Sequence, residues 1–191
     1  MLGFYLWSLR PTNRRLSLSA RMAATGMKHL WSPWRMAYIE GHASESGCMF
    51  CTCLAAPDGP DNLILHRTPL AFVILNRYPY TNGHAMVVPI AHQPTLEALG
   101  DATQLDLMRL ASRTLLVLRR TYAAESFNIG ANIGRAAGAG IEGHVHLHVL
   151  PRWAGDTNFM ATTAETRVIP ESLETTYQRM LATWQQLEPP S

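Results

Sequence analysis

Three histidines alternate with aliphatic residues in His144-Val145-His146-Leu147-His148-Val149-Leu150, and Pro151 ends the run. Side chains of an extended chain point to opposite faces with a period of two. In a strand the three imidazoles would therefore line one face, while Val145, Leu147 and Val149 line the other. A period-two run of aliphatic and β-branched residues stopped by proline predicts a strand and argues against a helix. Packing gains nothing from repeated titratable groups on one face. With only eight histidines in 191 residues, such a row marks a chemical site.

The rest of the composition narrows what that site can serve. A chain of this length fits one domain with an extension, or at most two small domains, and 47% hydrophobic residues suffice for a sizeable core. Net charge is +2 and only 16% of residues are charged, so neither a polybasic nucleic-acid surface nor an acidic tail is indicated. The expected partner is a small molecule. No apolar run is long enough to cross a bilayer. Cys48, Cys51 and Cys53 crowd into six residues, too close and too odd in number for a secreted disulfide framework. A reducing, cytoplasmic setting is expected. Residues 1–26 carry Arg10, Arg14, Arg15 and Arg21, and no acidic residue occurs before Glu40. They read as an organellar transit peptide or as a tail ahead of a working start at Met22 or Met27, and are set aside from the fold.

Along the chain, Pro33 interrupts any helix in the aromatic segment after Lys28, where Trp31, Trp34 and Tyr38 are expected to cap the core or a subunit interface. In Cys48-Met49-Phe50-Cys51 two thiolates three apart can grip one metal ion from a tight turn, and zinc would need further ligands from elsewhere. The redox reading is disfavoured because the pair is not expected at the start of a helix that follows a strand. Residues 70–76 and 84–89 predict two strands joined by the turn-rich stretch Tyr78 to Gly83, which places Asn76 and His84 at the two ends of one connection. Residues 101–124 predict a long helix with Asp101 as N-cap and an apolar stripe of Leu105, Met108, Leu115, Leu116 and Leu118. Residues 127–133 suggest another strand. The loop from Gly134 to Gly140 holds three glycines in seven residues, a plain connector or an anion-holding turn, and its attachment to the histidine row favours the anion. A last helix starting at Pro170 carries Leu173, Tyr177, Met180, Leu181 and Trp184 at helical spacing.

Three chemistries suit a histidine row beside a glycine loop: nucleophilic attack of an imidazole on phosphorus, metal hydrolysis with the row as ligands, and a binding module that only hydrogen-bonds its ligand. Ligation by all three histidines leaves the loop without a task. In nucleophilic catalysis the loop amides neutralise phosphoryl oxygens, one imidazole attacks and another assists charge and proton movement. That reading is preferred.

The run from His144 to Leu150 resembles the signature of the histidine triad (HIT) family of nucleotide hydrolases and transferases, and the resemblance extends from about His29 to Met160. The LWSPWRMAYI opening, the NIGRAAGAGIEGH approach and PRWAGDTNFM are similar to its bacterial, diadenosine tetraphosphate phosphorylase-like branch. The resemblance implies an α+β fold: a mainly antiparallel five-stranded sheet with a long helix packed on it and a C-terminal helix. It implies a HIT domain over residues 27–165, a helix and tail over 166–191, and a two-fold homodimer. It assigns His146 as the nucleophile on the α-phosphate, His148 as a phosphate contact, and His84 as an upstream histidine orienting the site. Asn76 is assigned to the ribose, Asn132 with Gly138 and Gly140 to the phosphate region, and Phe50 and Leu75 to the base pocket. A structural zinc is implied on Cys48, Cys51, His92 and His144, with magnesium accompanying only the polyphosphate. One departure stands out: Gly140 occupies a place where many members carry a Ser or Thr hydroxyl. The expected reaction is cleavage of a dinucleoside polyphosphate through a nucleotidyl-histidine. The rivals are a purine nucleoside phosphoramidate hydrolase and a non-catalytic nucleotide-binding module.

Overall fold

Two central strands explain most of the architecture. AFVIL (β2, Ala71–Leu75) and AMVVP (β3, Ala85–Pro89) are buried at every position, which is why both read as unbroken apolar runs and not as alternation. They pair antiparallel from Ala71 opposite Pro89 to Leu75 opposite Ala85. Around them the computed structural model describes residues 47–156 and 169–187. The segment 1–26, Trp31, Trp34, Tyr38 and the stretch Asn158 to Met160 lie outside the described residues.

The remaining elements are α1 (Met49–Ala55), β1 (Ile64–Arg67), α2 (Asp101–Tyr122), β4 (Ser126–Gly130), a 3-10 turn (Arg135–Ala137), β5 (Leu147–Arg152) and α3 (Leu173–Gln186). The sheet runs β1-β2-β3-β5-β4 with every neighbouring pair antiparallel. The expected α+β class, five-stranded sheet, long helix and C-terminal helix are all present. β3 pairs with β5 so that Met86 faces His148, and β4 sets Gly130 against His148 from the other side. The histidine stretch thus enters the interior of the sheet between two partners.

Several local expectations are corrected. β5 begins at Leu147, so His144, Val145 and His146 precede the strand. The Val145 N–H is taken by the Gln93 carbonyl at 2.7 Å and not by a ladder partner. His144 and His146 are buried alongside Val145 and Leu147, so the period of two does not divide a wet face from a dry one. Cys48 and Cys51 sit not in a tight turn but at the start of a helix, Cys48 being the N-cap of α1. In α2 the N-cap is Gly100, and Asp101 is the first helical residue without a side-chain cap bond.

The stripe foreseen on α2 is partly the wrong face. Leu105, Met108 and Leu116 are 52%, 54% and 54% exposed, whereas Leu107, Leu110, Ala111, Thr114, Val117 and Leu118 are buried. The helix carries apolar residues on two faces, and periodicity alone does not say which of them meets the sheet. α3 begins three residues after Pro170. Its N-cap is Ser172, whose Oγ accepts from the Thr175 N–H at 3.1 Å. Its inner face buries Thr176, Tyr177, Met180 and Trp184, with Trp184 stacked on His66 and covered by the Arg113 guanidinium. β4 closes at Gly130, short of the expected Ile133, which leaves Asn132 in a loop.

Candidate functional site

The connection between β2 and β3, the segment before β5 and the N-terminus of α1 converge on one cleft. It is lined by Met49, Phe50, Asn76, Tyr78, Tyr80, Met86, Asn132, Gly140, Ile141, His146 and His148. Two imidazoles, two asparagine amides and a glycine meet there against apolar and aromatic walls, the composition of a site for a flat, polar small molecule.

Hydrogen bonds assign the ring protons. His146 Nδ1 lies 2.9 Å from the His144 carbonyl. A carbonyl only accepts, so the proton is on Nδ1 and the Nε2 lone pair is unprotonated. Burial lowers the His146 pKa, against the opposing pull of that carbonyl, and the ring is neutral at ordinary pH. At His84 the Tyr80 N–H donates to Nδ1 at 3.1 Å, with the Asn76 amide nitrogen 3.3 Å away. Asn76 is oriented by the Tyr78 N–H, which donates to its Oδ1 at 2.9 Å. His84 therefore carries its proton on Nε2 and donates it to His148 Nδ1 at 3.0 Å. His148 in turn holds its proton on Nε2. Burial, then the nearby rings of His148 and His146, push the His84 pKa down to about 3, so the ring stays neutral at neutral pH and the Tyr80 N–H keeps its Nδ1 an acceptor.

The outcome is a lone pair beside a donor. The His146 and His148 rings are 4.9 Å apart at 72°, one with a nucleophilic Nε2 and the other with an N–H. That pairing can attack phosphorus and hydrogen-bond its oxygens. Phe50, fully buried, packs edge-on to His144 and tilts against His146 at 5.0 Å between centroids.

A second cluster lies behind the first. The ligand atoms of Cys48, Cys51, His92 and His144 all fall within 4.8 Å of one another. Cys48 Sγ is 3.3 Å and Cys51 Sγ 3.7 Å from His144 Nδ1, and Cys51 Sγ is 3.4 Å from His92 Nδ1. Bond lengths of about 2.0–2.3 Å to a tetrahedral zinc imply ligand separations of roughly 3.3–3.8 Å, so the donor set fits a metal ion. His144 Nε2 donates to the Pro89 carbonyl at 2.8 Å, which leaves Nδ1 as the lone pair facing the thiols. A side chain at Gly143 would put its Cβ 3.3 Å from His92 Nε2, a tight contact that the ring would have to yield to by a few tenths of an ångström. The cluster and the His146 ring meet in His144: its side chain belongs to the cluster and its carbonyl sets the tautomer of His146.

Of the residues singled out from sequence, His146, His148, Asn76, Asn132, Gly140 and Phe50 line the cleft, and His84 reaches it through His148. Leu75 does not: it lines a different cavity with Pro79, Asn82, Gly83, His84, Ile169, Glu171, Leu173 and Thr176. Gly138 does not line the cleft either. It caps the 3-10 turn at φ 80°, with its N–H bonded to the Arg135 carbonyl at 2.9 Å and so committed within the loop. Met49, Tyr78, Tyr80, Met86 and Ile141 were missed. Tyr80 meets His84 twice, with its ring 4.8 Å away between centroids and with the backbone N–H that sets the tautomer, and no side-chain pattern reports the latter.

The HIT domain model matches residues 59–155. The chain is 35% identical over 164 residues to the AP-4-A phosphorylase of Mycobacterium tuberculosis, covering 82% of this chain and 84% of that protein. A zinc-bound histidine triad family protein from Mycobacterium smegmatis superposes with a TM-score of 0.60 at 28% identity, covering 74% of this chain and 95% of that one. A histidine triad nucleotide-binding protein from Sulfolobus tokodaii shares the fold at a TM-score of 0.60 and 24% identity, covering 73% and 93%.

Two outcomes follow from the geometry. Protein purified without chelator is expected to carry about one divalent metal ion per chain, as one closed four-ligand site requires, and Cys51→Ala is expected to lose it and melt at lower temperature. A parent that purifies without metal, with Cys51→Ala melting at the parent's temperature, would remove the cluster's role. The second concerns pH. Folding lowers the His84 pKa from 6.5 to about 3, so between these values the unfolded chain binds a proton that the native chain refuses. The stability tied to His84 is complete above about pH 6.5 and is lost as pH falls toward 3. Urea titrations across that window should show His84→Gln with a shallower pH dependence, by up to about one proton. An unchanged slope contradicts the buried neutral ring.

Proposed function

The chain belongs to the HIT family, and on that premise we propose that it cleaves a dinucleoside polyphosphate, diadenosine tetraphosphate foremost, at the α-phosphate through a covalent nucleotidyl-His146. The observation that carries this reading is the Nδ1 proton of His146 bonded to the His144 carbonyl, which aims an unprotonated Nε2 into the cleft. The 35% identity to an AP-4-A phosphorylase over most of both chains supports the substrate class.

In the proposed reaction the His146 Nε2 lone pair attacks the α-phosphorus, an N–P bond forms and the P–O bond to the remaining phosphates breaks. With diadenosine tetraphosphate, ATP departs and AMP stays on His146. An oxygen of inorganic phosphate or of water then attacks the same phosphorus, the N–P bond breaks, and ADP or AMP leaves. His148 Nε2–H, Asn132 and the Gly140 amide serve the phosphoryl oxygens, Asn76 the ribose, and Phe50 the base wall. Zinc is the proposed occupant of the Cys48, Cys51, His92 and His144 cluster, where it would hold those four side chains together and supply structural rigidity. Magnesium belongs to the polyphosphate as its counter-ion. Three free thiols suit a reducing cytoplasm, and no helix among the described residues is long and apolar enough to cross a membrane.

A homodimer is part of the same proposal. β4 is an edge strand exposed at most positions, with Ile129 43% exposed, and the outer stripe Leu105, Met108 and Leu116 of α2 is uncovered. The Arg119 guanidinium sits 4.7 Å over the Phe127 ring, tying that side of α2 to β4. A second copy would cover both.

Product analysis with and without inorganic phosphate is the direct test: ADP plus ATP means phosphorolysis, AMP plus ATP hydrolysis. His146→Ala should lower kcat/KM by at least about 10³-fold, and quenching during turnover should trap labelled nucleotide on position 146. Turnover that survives this substitution sinks the mechanism. For the dimer, sedimentation should read two chains for the parent and one for Ile129→Glu. A monomeric parent ends that part of the proposal.

A further inference from the structure

Glu171 lies outside the cleft, yet its carboxylate is bound to three different elements. Its Oε2 accepts from Tyr122 OH at 2.6 Å and Thr176 Oγ at 2.9 Å, and its Oε1 from Arg179 Nη1 at 2.6 Å. Asn82 closes the ring, with Nδ2 3.5 Å from Oε2 and Oδ1 3.3 Å from Thr176 Oγ. Burial alone would raise this carboxyl, but the bonds from Tyr122, Arg179, Thr176 and Asn82 overcome it and hold the pKa at about 2. The group is thus a fixed anion joining the C-terminus of α2, the first turns of α3 and the connection between β2 and β3.

Asn82 stands two residues before His84, and the backbone between them is constrained. Gly83 has φ 74°, and a Cβ there would sit 2.8 Å from Leu118 Cδ2 and 3.2 Å from Tyr122 Cε2. The His84 N–H donates to the Thr81 carbonyl at 3.2 Å. Among the described residues, packing leaves one side open. A cavity of about 220 Å³, lined by Leu75, Asn82, Gly83, His84, Glu171 and Thr176 among others, lies against His84 and shares no lining residue with the cleft. Gly83 packs on Leu118 and Tyr122 and the Tyr80 ring lies 4.8 Å from that of His84; with open volume on the cavity side, the directional bonds of Asn82 add the restraint that keeps the Tyr80 N–H and the His84 ring in register with His148.

We propose that Glu171 is a positioning residue for the nucleophile's neighbour: acting through Asn82, it fixes the connection that makes His84 a donor and so keeps the His148 proton on Nε2, facing the substrate. This rests on the proposed function for its catalytic consequence, but the ring-proton arrangement exists in the free protein.

The test uses Glu171→Ala, Asn82→Ala and Glu171→Gln in the full chain. Asn82→Ala leaves the Tyr122 and Arg179 bonds to Glu171 in place, so it remains informative if Glu171→Ala folds poorly. ¹⁵N spectra of the histidine rings in ligand-free protein should show one His148 tautomer, protonated at Nε2, in the parent and a mixture in both alanine variants. With diadenosine tetraphosphate, kcat should fall about 10-fold with KM little changed, within the roughly 100-fold that misplacement by 1 Å can cost. Glu171→Gln, which retains an acceptor for Tyr122, should recover part of both signals. A single parent-like His148 tautomer in Asn82→Ala overturns the proposal, as does a loss of kcat that only follows the folded fraction in thermal melts. If the parent turns over no dinucleoside polyphosphate, the proposed function fails, while the tautomer measurement still decides the positioning role.

Discussion

The hydrogen bond from His146 Nδ1 to the His144 carbonyl is the constraint on which the rest of the site depends. An imidazole has one proton and two nitrogens when neutral, and whichever nitrogen loses the contest for the proton becomes the base or nucleophile. Here a backbone carbonyl decides the contest. That carbonyl belongs to the residue whose side chain joins Cys48, Cys51 and His92, so whatever immobilises the cluster also immobilises the acceptor. A site of this kind needs no charged partner to activate the ring. It needs the chain before β5 to stay in place, and the cluster, the Val145 N–H bond to Gln93 and the β3 pairing each hold one part of it.

Low polarity does the remaining work. His84, His144 and His146 are all buried, and burial heads the causes that lower each pKa. For His84 the displacement from 6.5 to about 3 corresponds to roughly 5 kcal/mol against charging the ring. A cation at His84 would leave Nδ1 protonated against the Tyr80 N–H, two donors facing each other, so the backbone and the dielectric enforce the same state. The relay from His84 to His148 is consequently one of orientation. Its far end is an amide hydrogen bond, which polarises the rings but has no proton to pass on.

This explains what could and could not be read from the chain. β2 and β3 were legible because strands covered on both faces are plain apolar runs, and the end of β2 correctly placed Asn76 opposite His84. The face of α2 was misread because Leu105, Met108 and Leu116 are as apolar as the residues that meet the sheet, and a period cannot name the partner. The seven residues of α1 and the four of β1 are too short to leave a period, and β1 is further broken by a register shift between Ile64 and His66. The histidine row was found by its alternation although the alternation does not mean what a surface strand would make it mean. Grouping His92 with the cysteine pair came from family resemblance; 41 residues separate it from Cys51, and only the fold brings them within 3.4 Å. The Asn82 and Glu171 contact, like the backbone N–H of Tyr80, leaves no motif at all.

On the proposed reading, the absence of a hydroxyl at Gly140 bears on the leaving group. A backbone amide there offers charge stabilisation but no transferable proton, and the His84 relay cannot replace a proton given up by His148. A leaving group that departs from the α-phosphorus must then be stable without prompt protonation. A polyphosphate chain meets that condition, since its terminal oxygen is weakly basic at neutral pH and a divalent counter-ion would share its charge. An amine, the leaving group of a phosphoramidate, departs well only when protonated, and glycine at position 140 brings no side-chain proton to supply it. On that reading, the residue that departs from the family pattern would favour a dinucleoside polyphosphate over a phosphoramidate, for a reason that lies in the basicity of what leaves and not in how tightly the nucleoside is held.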